Sequence, residues 1–109
     1  MNLKKKYYKA MRSEYKIELA PNAQRQLKKL SKQLQLTIVK KLEELKTTPL
    51  PVGIKKLSGM DNLYRLRIGN YRVIYQVEHK ILLVLILKIG DRNEVYDNLK
   101  SLSNKLSLK

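Results

Sequence analysis

An α+β domain is the fold class that this sequence predicts, in the order β-α-α-β-β-β-α: a two-helix hairpin packed on a small, mainly antiparallel twisted sheet with a short C-terminal helix. Three patterns point to it. Residues 15–19 alternate Tyr, Lys, Ile, Glu, Leu, the period of two that marks a strand with one buried face. Leucines and isoleucines then recur three and four residues apart as far as Leu45, the spacing of a helical face. Three further β-rich stretches crowd into residues 63–89 with short breaks between them, as antiparallel hairpins require.

Each element has its own signals. Pro21 suits the first turn of a helix, where its missing N–H has no partner to lose, and Leu27, Leu30 and Leu34 then share one face while Lys28, Lys29 and Lys32 point elsewhere. A second helix over about 35–46 aligns Ile38, Leu42 and Leu45, and Thr47, Thr48, Pro49 and Pro51 end it. Residues 51–62, with Gly53 and Gly59, read as a loop that carries Lys55 and Lys56. Strands are expected over 63–68, 71–78 and 81–89, joined through Gly69-Asn70 and His79-Lys80. The run 81–87 lacks alternation, as a strand covered on both faces does. Gly90-Asp91 breaks it, and Val95, Leu99 and Leu102 align on a last helix with Asp91 near its start. The expected organisation is a single domain at 14–102, a basic leader at 1–13 outside the core and a flexible tail at 103–109, with Met1 and Met11 both candidate starts.

Composition narrows the function. A chain of 109 residues, 43% hydrophobic, supports one core, and a domain of this size buries roughly two thirds of the surface its unfolded chain exposes. With 24 Lys and Arg against 9 Asp and Glu, the formal charge is +15. Such a field favours a polyanion: nucleic acid, an anionic membrane surface or an acidic protein. Without Cys there are no disulfides or thiolate metal sites, which fits a reducing cytoplasm. The apolar run 81–87 is far shorter than the ~20 residues of a spanning helix, and no apolar stretch follows the basic start as in a secretory signal. A cytoplasmic protein with no membrane partner is expected.

The chemistry-bearing residues are basic. Tyr64, Leu66 and Ile68 alternate with Arg65 and Arg67, which puts both guanidinium groups on one sheet face; Arg72 and Arg92 join them if the strands pair in sequence order. Taken alone, two such arginines more often make a solvated strand face. Tyr96 follows Arg92 by four residues, one helical turn, and a tyrosine there is either a packed aromatic or an acid/base group. His79, the sole histidine, reads as a surface turn residue and cannot form a two-histidine site. Acidic residues are too scattered for a two-metal carboxylate centre, and no nucleophile motif or Gly-rich phosphate loop is present.

Lys55-Lys56-Leu57-Ser58-Gly59-Met60, Leu63-Tyr64-Arg65-Leu66-Arg67, Asn70-Tyr71-Arg72-Val73-Ile74-Tyr75-Gln76-Val77 and Gly90-Asp91-Arg92-Asn93-Glu94-Val95-Tyr96, set in this order of elements, resemble the RelE/ParE toxin superfamily, the last segment its RelE branch. The resemblance spans about residues 15–99. It implies the toxin of a type II toxin-antitoxin system, a ribosome-dependent, metal-independent endoribonuclease (mRNA interferase). Such a toxin cuts mRNA in the decoding site, within the 16S rRNA environment, and is silenced by an acidic RelB-like antitoxin. The catalytic residues it implies are Arg65, Arg67, Arg72, Arg92 and Tyr96, with Lys55 and Lys56 binding RNA and no metal or small-molecule cofactor. Some members have lysines where this chain has Arg65 and Arg67, and an arginine is almost never deprotonated. The general base therefore falls to Tyr96, whose phenolate neighbouring cations favour, or to Lys56. A ParE-like gyrase poison and a non-enzymatic RNA-binding module are the alternatives, and the Arg92 to Tyr96 segment favours the nuclease.

Overall fold

The computed structural model of the chain describes residues 14–57, 59 and 61–93; the leader, the expected last helix and Tyr96 lie outside them. Five strands, β1 (Lys16–Leu19), β2 (Lys55–Lys56), β3 (Leu63–Ile68), β4 (Tyr71–Glu78) and β5 (Leu83–Asp91), form one sheet in the order β1-β5-β4-β3-β2. Strand β1 runs parallel to β5 and every other pairing is antiparallel. Helices α1 (Pro21–Lys28) and α2 (Lys32–Glu44) cover one face of this sheet. There Ala23, Ile38, Leu42 and Leu45 pack against Ile68, Val73, Tyr75, Val77, Val84, Ile86 and Ile89.

Helix α1 has only two turns, too short to persist by itself. Packing holds it, together with two glutamines: Gln24 Nε2 donates to the Leu19 carbonyl (2.9 Å), and Gln26 Oε1 accepts the Ile89 N–H (2.7 Å). The second bond satisfies a sheet-edge donor beyond the end of β1, whose pairing with β5 stops at Leu19 and Ile86.

Four expected boundaries shift. The stripe Leu27, Leu30, Leu34 is not one helix: Ser31 interrupts it, its Oγ accepting the Leu34 N–H (3.2 Å) as the N-cap of α2, so the second helix begins at Lys32. The loop expected over 51–62 contains β2, and Leu57 N–H extends the ladder to the Leu63 carbonyl (2.9 Å). The turn between β4 and β5 takes four residues, 79–82, instead of two. Leu82 closes it at φ 52°, and its carbonyl accepts the Lys16 N–H (2.8 Å). Finally, β5 runs on through Gly90 and Asp91.

A bulge explains why β5 shows no alternation. Tyr75 pairs with Ile86 but Ile74 pairs with Lys88, leaving Leu87 as the extra residue. Below the bulge Val84 and Ile86 face the helices; above it Ile89 does. Lys88 and Gly90 are thereby placed on the opposite face, in register with Ile74 and Arg72.

Candidate nucleic-acid interface

Tyr64, Leu66 and Ile68 pack toward the helices, so Arg65 and Arg67 emerge on the face that α1 and α2 leave uncovered. Register then fixes their neighbours. One row across the strands reads Lys55, Arg65, Ile74, Lys88; the next reads Arg67, Arg72, Gly90. The far end of the same face carries Glu18 and Glu78, the latter accepting from Gln76 Nε2 (2.7 Å). The arginines of this face lie toward the β3–β4 turn, whereas at the far end Lys16 is offset by Glu18 (3.1 Å).

That turn requires its glycine for conformation, not for space. Gly69 takes φ +59° at the first central position of a two-residue hairpin, as a type II′ turn requires. Arg72 is buried, 7% exposed, and its Nη1 donates to the carbonyls of Gly69 (2.9 Å) and Tyr71 (3.0 Å). Its guanidinium therefore staples the turn from the basic face while its other nitrogens stay outside these two bonds. The backbone N–H of Arg92 reaches the Asn70 carbonyl (2.9 Å) and ties the exposed Arg92 to the same turn. Beyond it Asp91 Oδ1 accepts the Asn93 N–H (2.9 Å), a local turn that ends the strand.

Of the residues singled out from the sequence, the fold brings together Arg65, Arg67, Arg72, Arg92 and Lys55. Lys56 pairs with Tyr64 and belongs to the helix-side row at the sheet edge, away from the arginines. Tyr96 lies outside the described residues. His79 is an exposed turn residue whose Nδ1 lies 2.6 Å from the Tyr15 hydroxyl, joining the β4–β5 turn to the start of β1. Among the described residues no group of three or more His, Cys, Asp or Glu is placed to hold a metal ion, and no helix is long and apolar enough to cross a membrane. Sequence reasoning missed Lys88, because only the bulge puts it on this face.

The family model described as ParE toxin of type II toxin-antitoxin system, parDE, matches residues 17–96. The mRNA interferase toxin RelE of Escherichia coli is 31% identical over 86 residues, 75% of this chain and 90% of that one. The chain belongs to the RelE/ParE toxin superfamily, in its RelE branch. A RelE1 toxin of Methanocaldococcus jannaschii is 43% identical to this RelE-family chain over 60 residues, 52% of this chain and 67% of the relative. Among solved structures, the RelE-RelB complex from Pyrococcus horikoshii superposes with a TM-score of 0.65 at 31% identity, covering 72% of this chain and 96% of that one. The RelE-like layout of two helices on a five-stranded sheet is the one built above.

Proposed function

We propose that this chain is the toxin of a type II toxin-antitoxin pair and acts as a ribosome-dependent, metal-independent endoribonuclease on mRNA. The observation that carries the reading is the register that sets Arg65, Arg67 and Arg72 on one face with Arg92 tied to the same end. Attack by a ribose 2′-oxygen forms a bond to the adjacent phosphorus and breaks the bond from phosphorus to the 5′-oxygen. The 2′-hydroxyl proton goes to a base, the leaving 5′-oxygen takes up a proton, and a 2′,3′-cyclic phosphate and a 5′-hydroxyl result. Charge builds on the phosphoryl oxygens during the step, and planar guanidinium forks pair with such oxygens. Tyr96 is the leading base, since Lys56 belongs to the other row. The name of the Escherichia coli relative supports the substrate, and the archaeal RelE-RelB complex supports a RelB-like antitoxin. An acidic antitoxin also suits a chain of charge +15.

The deciding experiment maps message ends in a translation extract with active and with inactivated ribosomes. Cleavage that needs active ribosomes and vanishes in the R92A/Y96F double variant supports the proposal. Intact message together with inhibition of DNA supercoiling by gyrase favours the ParE-like alternative.

A further inference from the structure

Lys88 is 6% exposed, and its Nζ is a fully buried polar atom without a hydrogen-bond partner. An ammonium is among the groups least tolerated in that state, because burial strips its water and returns nothing. Such a group calls for an explanation, and a catalytic role is one of the few that fit.

Its position points to that role. Lys88 shares a row with Arg65 and Lys55 across Ile74, and stands two residues before Gly90, which faces Arg72. At ~4.8 Å per strand step its Cα lies about 10 Å from that of Arg65, a gap that two long cationic side chains close from opposite sides around one tetrahedral anion. Gly90 contributes no side chain between Lys88 and the buried Arg72. Had β5 no bulge, Leu87 would face Ile74 and Lys88 would face Val73 in the helix-packed core; the extra residue moves the ammonium to the arginine face.

We infer that Lys88 is a further catalytic residue, the floor of the phosphate site, donating from Nζ to a non-bridging oxygen of the phosphate that Arg65 and Arg72 flank. This role rests on the nuclease reading. It moves no proton; it supplies a compact point charge where the arginines supply planar forks.

Lys88→Met keeps the length and removes the charge. Single-turnover cleavage on programmed ribosomes is expected to fall about 100-fold, as for loss of one donor to a developing oxyanion. The melting temperature is expected to hold or rise, since an unpartnered buried cation has gone. Binding of a message carrying 2′-deoxyribose at the cleaved nucleotide should weaken with it. A K88M chain that cuts as fast as wild type overturns the inference, as does one whose activity falls only in step with its stability. So does a variant that cuts normally but loses the antitoxin, which would make Lys88 a seat for a carboxylate. A wild-type chain that leaves message intact in the same assay overturns the nuclease reading and this role together.

Discussion

Arg67 and Arg72 stand directly opposite each other across the β3–β4 ladder, two cations on one face of neighbouring strands. Like charges so placed oppose folding, and the sheet keeps them in register only because surrounding packing does. Arg67 is the exposed member, and among the described residues no side-chain hydrogen bond or ion pair ties it to the fold. Replacing it by Ala is therefore expected to leave the melting temperature unchanged or slightly raised while cleavage falls. If Arg67 meets one phosphate, the plot of log affinity for RNA against log salt should lose about 1 from its slope. Filter binding across a salt series checks this, and an unchanged slope would remove Arg67 from the interface.

Arg72 should behave differently. Its Nη1 bonds to the Gly69 and Tyr71 carbonyls brace the β3–β4 turn, and hydrogen bonds from charged donors contribute about 1.5–3 kcal/mol when buried. Arg72→Ala is expected to lower stability by about 2 kcal/mol and to reduce cleavage as well, through one residue that both shapes the turn and charges the site. Denaturant unfolding beside single-turnover cleavage separates the two effects. Loss of activity at full stability would mean that the turn stands without its staple.

Tyr75 gives the fold an alkaline limit. It is fully buried in the core, its hydroxyl donates to the Pro49 carbonyl (2.8 Å), and burial, aided by the neighbouring Tyr64, raises its pKa well above the ordinary tyrosine value. The folded protein holds this proton to higher pH than the unfolded chain does. Its contribution is therefore complete below about pH 10 and is lost above it, by up to ~1.4 kcal/mol per pH unit. Tyr75→Phe should cost about 1 kcal/mol at neutral pH through the lost hydrogen bond and flatten the alkaline decline. Urea unfolding at neutral and alkaline pH measures both, and an equally steep decline in the variant would place the sensitive group elsewhere.

Much of this molecule can be read from its residues alone. The alternation around Arg65 and Arg67 assigns their face because a strand has one strict period, and the structure follows it. The Gly69-Asn70 hairpin is legible for a similar reason: few residue pairs accept the backbone such a turn imposes. Helix boundaries were harder. The leucine spacing runs straight through Ser31, and only the cap bond from Leu34 shows that the chain starts a new helix there. Lys55 and Lys56 looked alike as neighbours in a loop, yet pairing with β3 sends them to different rows. Lys88 was hidden most deeply, since the stretch from Leu83 to Asp91 carries no mark of where its extra residue falls.

The bulge at Leu87 sets a phase along β5. Pair the strand without that bulge, Leu87 taking the place opposite Ile74, and every side chain beyond it changes allegiance: an ammonium would be driven among isoleucines, an isoleucine would surface among arginines, and Gly90 would no longer lie across from Arg72. Core and chemistry in this strand are consequently inherited as a unit, tolerant of conservative replacement on either side yet intolerant of a one-residue slip in pairing between them. Length variation within the family should then collect in the turns at either end of β5 and, inside the strand, only at the bulge itself.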